Sequence, residues 1–509
     1  MNLLSLLHEK FGFETFREGQ LDIIHSVLAK RDAFAVLPTG GGKSICFQLP
    51  ALIEPGLTIV VSPLISLMND QVRGLREIGI PAGCLHSGQS MTQKRQVFAD
   101  LRSSRNYLLY LSPERVQKDG FSEWIKSQRI NLFAIDEAHC VSKWGHDFRE
   151  DYHRLKSLRD IRPDVPILAL TATATPQVLA DTSARLGLKN PDRHVHGFYR
   201  PNLYYQVESC ADEDQKFRYV EEALRQNPSG RILIYCGTRK QSEQVSASLK
   251  KEFSDISYYH AGLSAEDRTQ IQKKYDEGSI RILAATNAFG MGIDHPDVRL
   301  VVHFQMPANI ESLYQEMGRA GRDQRPSTCL LLYSKKDKGL QSFFIQNSKG
   351  SPEDIRHRWR SLDAIVQFAE GGECRHGGIL TYFRDANRVK ACGHCDTCDP
   401  NSDRKVRVRF ISAVTSKFLK KMSKMKKVEE DLTPLSREEE LRAEILRNWR
   451  KNYADKNDIP AFMVFSNRTL RDLAVKVPKN AEELERVYGF GPHKVEHLGD
   501  LVLATLASG

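Results

Sequence analysis

The sequence predicts an α/β fold of two parallel-sheet lobes, followed by a cysteine-bearing helical module and a small all-α domain. Three observations carry this reading. From about residue 30 to 300, short β-branched runs alternate with longer amphipathic stretches, and the alternation starts afresh near residue 231. Strands separated by helices pair as parallel sheets. Four of the ten cysteines, Cys374, Cys392, Cys395 and Cys398, are grouped, whereas the other six are scattered. From residue 437 onward the texture is helical throughout. A chain of 509 residues has room for about three or four domains.

In chain order, MNLLSLLHEKFGF reads as a helix start and not as a signal peptide, because it lacks a basic leading region and is broken by His8, Glu9 and Lys10. AFAVL (33–37), LTIVVS (57–62), YLLYLS (107–112), NLFAID (131–136) and PILALT (166–171) read as buried strands of a first lobe spanning 1–205. GFYRPNLYYQVES (197–209) reads as the crossing between lobes. RILIYC (231–236), RILAAT (281–286) and LVVHFQ (300–305) supply a second lobe over 206–345. A cysteine module at 346–400, a basic linker at 401–436 and a helical domain at 437–509 complete the expected order. The linker carries ten Lys/Arg against four Asp/Glu, and its KFLKKMSKMKKV run reads as a nuclear signal, a DNA contact or a solvated linker.

Composition narrows the class. The chain is 40% hydrophobic and 27% charged, as ordinary globular proteins are. No apolar run approaches the roughly 18 residues of a membrane span. A net charge of +10 favours a polyanionic partner, nucleic acid or an anionic membrane. Scattered plus grouped cysteines without a signal peptide point to a reducing compartment and a metal site. The short N-terminus points to a bacterial cytoplasmic setting, associated with the nucleoid, or to the nucleus if the source is eukaryotic.

Four motifs carry chemistry. TGGGKS, running Thr39, Gly40, Gly41, Gly42, Lys43 and Ser44, follows the first strand directly. Three glycines let backbone N–H groups close around phosphates, Lys43 reaches the β and γ phosphates of ATP, and Ser44 binds Mg²⁺. Leu37 stands where the usual first glycine would be. A Gly-rich turn before a helix has the same composition, but the preceding strand favours the phosphate loop. IDEAH (135–139) ends a strand, so Asp136 suits Mg²⁺ and Glu137 the attacking water. A lone DEAH would equally suit two surface carboxylates; the pairing with GKS does not. QEMGRAGRD (315–323) places Arg319 and Arg322 three residues apart, where guanidiniums can reach a transferring phosphoryl group from the opposite lobe. The alternative is a solvated basic helix face. The four cysteines, with a C-x₂-C-x₂-C core, suit tetrahedral Zn²⁺, with His376 and His394 as alternative ligands and free thiols or an iron–sulfur cluster as alternative states.

FREGQ (16–20), TGGGKS, SPLISLMNDQV (62–72), SPER (112–115), DEAHC, LTATAT (170–175), YCGTRK (235–240), YHAGL (259–263), ATNAFGMGID (285–294) and QEMGRAGRD together resemble the ordered motifs of superfamily 2 helicases. The FGF-x-x-FR-x-GQ opening and the loop after DEAH are similar to those of the RecQ family. The resemblance covers roughly residues 8–400 and the C-terminal 70, and implies two RecA-like lobes. It implies that Arg17 and Gln20 read adenine, with Phe13 stacking on the base where the family usually has Tyr; a Gln amide pairs with N6 and N7 and so prefers ATP to GTP. It implies that Thr171 and Thr173 couple the lobes and that Arg322 is the arginine finger. CVSKWGHDFRED (140–151) matches the family's aromatic-rich loop, so Trp144, His146, Phe148 and Arg149 are implied to sense single-stranded DNA; aromatic faces stack on any base and Arg adds phosphate contact. Without the resemblance, the same aromatics read equally as a packed cluster. Zinc on the four cysteines is implied as well. The tail is similar to the HRDC domain, with Phe462 in an I-P-x-F segment; DNA and protein are both expected partners of such a domain.

Residues 399–436 are too few for the winged-helix domain of about a hundred residues that many RecQ proteins carry there. The expectation is an ATP-dependent helicase moving 3′ to 5′ on single-stranded or forked DNA in recombination and repair, acting as a monomer. The alternative is an ATP-gated DNA-binding or remodelling protein that unwinds weakly.

Overall fold

Seven strands build the first sheet: β1 (Ala33–Val36), β2 (Gly56–Val61), β3 (Ala82–Leu85), β4 (Asn106–Leu111), β5 (Ile130–Ile135), β6 (Ile167–Thr171) and β7 (Asp192–Val195). In this computed structural model, which describes residues 2–38, 40–142, 144–145, 148–289, 295–348, 350–385, 387–408, 435–457 and 461–507, their order is β3-β4-β2-β5-β6-β1-β7, and every pairing is parallel. Thr39, His146 and the KFLKKMSKMKKV run lie outside the described residues, as does the side chain of Phe462.

The second sheet takes β8 (Leu203–Ser209), β9 (Arg231–Tyr235), β10 (Ile256–Tyr259), β11 (Ile282–Ala285), β12 (Val298–His303) and β13 (Ser327–Tyr333) in the order β10-β11-β9-β12-β13-β8, again all parallel. Parallel sheets are covered on both faces, so their strands read as continuous apolar runs. In β5, Phe133 and Ile135 join one core while Leu132 and Ala134 join the other. In β9, Leu233 and Tyr235 divide from Ile232 and Ile234 in the same way.

The 197–209 segment is more than a crossing, since β8 pairs with β13 along its whole length and the second sheet begins at Leu203, ahead of the expected boundary at 206. The sheets also contain β3, β7, β10 and β13, beyond the expected runs. β3, β7 and β10 are four-residue edge strands, where one flank has no partner strand and a short or polar run suffices.

The edge left open by β8 is covered by the cysteine module and by the residues that directly follow it. Asp396 N–H donates to Tyr205 O at 2.9 Å, the Asp396 carboxylate accepts from Val207 N at 2.9 Å, and the Gln206 amide bonds both backbone groups of Val406 at 2.8 Å. Helix Arg375–Tyr382 stacks Phe383 on Phe198 in the interlobe crossing, with centroids 4.4 Å apart. Asp385 accepts from Phe198 N at 3.1 Å. The module thus grips both the second sheet and the connection between lobes.

The C-terminal domain packs its own core around Leu446, Phe465, Leu473 and Val502. It meets the rest of the chain at Glu370, which ends helix Pro352–Glu370. That carboxylate accepts from Tyr333 at 2.7 Å and from Tyr488 of the C-terminal domain.

Candidate nucleotide site and nucleic-acid cleft

The phosphate loop takes its shape from glycine. Gly40 and Gly42 have φ of 80° and 74°, the left-handed region that side chains disfavour. A Cβ at Gly41 would fall 2.9 Å from Pro38 O, and one at Gly42 2.4 Å from Gln20 Nε2. Ser44 then leads into helix Ile45–Gln48, whose residues are all buried, without using its side chain as a cap.

A cleft of about 510 Å³ opens over this loop. Phe13, Arg17, Gln20, Gly40, Gly42, Lys43, Ser44, Asp136 and Glu137 line it from the first lobe, and Gln315, Arg319 and Arg322 from the second. The lobes approach closely there: a Cβ at Gly40 would lie 3.3 Å from Arg322 Cγ. Arg319 is buried beside Tyr235. A triphosphate on the loop would therefore face Lys43 from below and two guanidiniums across the cleft.

Phe13 stands 48% exposed at the rim, free to receive a ring. Gln20 is different. It is buried, its amide nitrogen donates to Gly42 O at 2.9 Å and Gly41 O at 3.3 Å, and its oxygen accepts from Arg17 N at 2.8 Å. The Arg17 guanidinium bonds Gly40 O. Both residues tie the N-terminal motif to the loop, so pairing of Gln20 with adenine requires exchange of these bonds.

Asp136 follows β5 and is held by its own N–H to Val61 O at 2.9 Å. Loss of solvent and the neighbouring Glu137 charge raise its carboxyl to about 7, against the pull of Lys43. Its side chain is partly open to the cleft, so the electrostatic penalty is partly screened. The sign is definite: an ionised Asp136 costs stability above pH 7, and the cost fades as pH falls toward the ordinary carboxylate value near 3.9. Asp136→Asn is therefore expected to raise the melting temperature of the ligand-free protein at pH 8, by less at pH 5, and to remove ATPase activity. A uniform loss of stability at both pH values would show that Asp136 is instead held by favourable bonds.

Glu137 has φ of 48°, strained for a side-chain-bearing residue, as is frequent at functional sites. Its carboxylate lies 3.2 Å from His139 Nδ1, which also lies 2.8 Å from Thr171 Oγ1. Burial opposes a charge on His139, but Cys140 and Glu137 outweigh it and hold its pKa up to about 10. The Thr171 hydroxyl in turn bonds Thr173 O at 3.1 Å, and both threonines are buried. Glu137, His139, Thr171 and Thr173 thus form one bonded row.

The aromatic loop hangs from the same row. Arg149 N bonds Cys140 O at 3.0 Å, and the Arg149 guanidinium donates to Pro63 O at 3.1 Å. Trp144 N donates to Ser142 Oγ at 3.1 Å, and its ring meets His357 edge-on at 5.0 Å. Phe148 is 38% exposed. The sequence did not single out Gly145, where a Cβ would fall 2.3 Å from His139 O, so only glycine lets the loop lie this close to the DEAH residues. The only hint was its place between two aromatic residues.

The four cysteine sulfurs, Cys374, Cys392, Cys395 and Cys398, lie within 4.8 Å of one another. Tetrahedral zinc at about 2.3 Å from each sulfur would set them about 3.8 Å apart. Backbone N–H groups of Gly377 and Cys392 point at Cys374 Sγ at 3.3 Å each, as suits a thiolate. His376 and His394 also approach Cys392. His376, however, bonds Leu203 O at 3.1 Å and stacks on Tyr205 at 4.2 Å, while His394 bonds Cys392 O at 2.7 Å. The sulfurs therefore fit the metal better than the imidazoles. Because Cys395 also pairs with Tyr205 across the β8 edge, Cys395→Ser or chelation is expected to loosen the module and expose that edge. Lower soluble yield and a lower melting temperature, with less than one zinc per chain, are the expected readouts; full stability without zinc would contradict a structural metal. Zinc in such small sites supplies roughly 10 kcal/mol or more of folding free energy.

Comparison with known proteins places each part. Family models match as DEAD/DEAH box helicase over residues 17–182, helicase conserved C-terminal domain over 215–324, RecQ zinc-binding over 335–399 and HRDC domain over 439–506. The ATP-dependent DNA helicase RecQ of Haemophilus influenzae is 41% identical over 78% of this chain and 64% of its own length, so the chain spans less than two thirds of that relative. The ATP-dependent DNA helicase RecQ of Bacillus subtilis is 34% identical over 98% of this chain and 97% of its own length. Among solved structures, Mycobacterium smegmatis helicase Lhr bound to ssDNA and AMP-PNP superposes with a TM-score of 0.54 at 19% identity, over 72% of this chain and 49% of that one. Saccharomyces cerevisiae Dbp5 bound to RNA and ADP BeF3 gives 0.53 at 18%, over 71% and 97%. These two show a shared fold. Two parallel-sheet lobes with a phosphate loop, a DEAH pair and opposing arginines define a two-lobed helicase motor. This chain belongs to the RecQ family of ATP-dependent DNA helicases.

Proposed function

We propose that the chain is a DNA-dependent ATPase that moves 3′ to 5′ along single-stranded DNA and unwinds forked duplexes, in recombination and repair. The observation that carries this is the approach of Arg322 to the phosphate loop at Gly40, on a cleft whose first-lobe wall also holds Glu137, ion-paired with His139 at the root of the aromatic loop. In this reading Lys43 and the loop from Thr39 to Ser44 hold the phosphates, with Phe13, Arg17 and Gln20 around the adenine. Ser44 and Asp136 hold Mg²⁺, which would neutralise phosphate charge; Glu137 orients water. Arg319 and Arg322 face the γ phosphate from the second lobe, so hydrolysis depends on how the two lobes sit against each other. Trp144, His146, Phe148 and Arg149 engage the strand, and Thr171 and Thr173 pass that engagement between lobes. The polarity comes from the family resemblance.

The remodelling alternative rests on the missing winged helix. The Bacillus subtilis alignment runs over 579 positions, more than this chain has residues, so that relative carries segments this chain lacks. The relatives that match are nonetheless helicases by name, and the unwinding reading is favoured. We assign monomeric action, with protein or DNA contacts through the C-terminal domain, and a cytoplasmic, nucleoid-associated setting (nuclear if eukaryotic); among the described residues no helix is long and apolar enough to cross a membrane. ATPase rates with and without single-stranded DNA, then strand displacement on a forked duplex, test the whole. Stimulated ATPase without displacement would favour remodelling.

A further inference from the structure

A second cleft, of about 570 Å³, lies between the aromatic loop and the second lobe. Its volume falls in the range of small-ligand pockets, about 300–1,000 Å³. Trp144 and Phe148 line it from the first lobe, Glu311 from the start of helix Ile310–Met317, Phe344 from helix Lys335–Gln346, and His357 and Arg358 from helix Pro352–Glu370.

Glu311 is the informative residue. It is 7% exposed, and Oε1 accepts from the Tyr382 hydroxyl at 2.7 Å. Oε2 is buried and has no hydrogen-bond partner among the described residues. A buried carboxylate oxygen without a donor is costly, and burial accordingly raises this carboxyl above its ordinary value. Around it stand aromatic rings with open surface, Phe344 at 44% and Phe148 at 38% exposed, and Arg358 is exposed at the mouth, where a phosphate can be met. Rings that take a flat partner, an acceptor that lacks a donor and a cation beside them match one nucleotide of a single strand.

We propose that this cleft holds one unstacked base of the bound DNA strand and selects a base carrying an exocyclic amine, donated to Glu311 Oε2, over thymine. The proposal rests on the strand-binding function above. Cytosine, adenine and guanine each present an amine, whereas thymine presents a carbonyl at that edge. Thymine's ring N–H is flanked by two carbonyl oxygens that a carboxylate repels. The position also has a consequence for the motor. Glu311 and Gln315 are one turn apart on the same helix, and Gln315 lines the nucleotide cleft. The base pocket and the nucleotide site therefore share this helix of the second lobe.

The test is ATPase rate against concentration of oligo(dC), oligo(dT) and oligo(dU) of one length, for wild type, Glu311→Gln and Phe344→Ala. Wild type is expected to reach half-saturation at an oligo(dC) concentration about fivefold or more below that for oligo(dT) and oligo(dU). Glu311→Gln, whose amide both accepts and donates, should bring that ratio near one. Phe344→Ala should raise half-saturation for all three and keep the ratio. A wild-type ratio near one overturns the pocket even if neither variant folds. A ratio unchanged in Glu311→Gln overturns it too, as does unaltered half-saturation in Phe344→Ala. Absence of binding by every oligonucleotide would remove the strand-binding reading itself and this pocket with it.

Discussion

Lys43→Ala is expected to abolish ATP turnover while most DNA affinity survives. Lys43 and Ser44 sit where the loop passes from Gly42, at positive φ, into a fully buried helix, and Lys43 lines the cleft there. On the first lobe it is the cation that lies closest in sequence to the phosphate-cradling glycines. Its loss leaves triphosphate charge to the backbone N–H groups and to arginines that act from the other lobe. Removal of one preorganised charge-stabilising donor costs about 10²–10³-fold in kcat. Here the effect should be at the upper end, because lobe closure also depends on phosphate charge drawing Arg319 and Arg322 inward. The proposed DNA contacts lie on the aromatic loop and the second cleft, away from Lys43, so affinity measured by fluorescence anisotropy should change little. A normal kcat would remove the nucleotide site from this cleft.

Legibility in the sequence followed how local each feature is. TGGGKS and DEAH are contiguous, each at a strand end, and their side chains meet in space because parallel strands present their ends together. The central strands were equally legible, because burial on two faces demands unbroken apolar runs such as NLFAI and RILIY. Short edge strands such as Asp192–Val195 were not, since an edge tolerates polar residues. The second cleft was hidden for a different reason. Glu311 opens a helix, where a carboxylate is ordinary, Phe344 sits beside Phe343 on an amphipathic helix, and His357 lies in a run of arginines. Only tertiary packing brings these three segments to Trp144. Gln20 illustrates a third limit. Its motif was recognisable, but its bonds to Gly41 and Gly42 depend on the loop's carbonyl directions, which no residue type encodes.

Trp144→Ala is expected to lower DNA-stimulated ATPase much more than the DNA-free rate, and Gly145→Ala to do the same without removing any ring. The proposed chain runs from the strand to Trp144, then to Gly145 packed on His139 O, then through His139 to Glu137 and Thr171. A methyl at 145 cannot coexist with the carbonyl 2.3 Å away, so either the loop or the DEAH turn must shift. In Trp144→Ala the lost stacking is worth about 1–3 kcal/mol, so some DNA affinity goes as well. In Gly145→Ala the rings remain, and half-saturation by DNA should change less than maximal stimulation. Arg149→Ala is the companion, because its guanidinium anchors the far end of the loop on Pro63 O. The measurement is ATPase rate against DNA concentration, which separates maximum from midpoint. If saturating DNA restores the wild-type rate in Trp144→Ala, the loop binds the strand without signalling. If DNA-free and stimulated rates fall together in Gly145→Ala, the close approach to His139 serves the fold of the catalytic turn and not its coupling to DNA. A lowered maximum with a preserved DNA-free rate is the outcome that the bonded row from Thr173 to Glu137 requires.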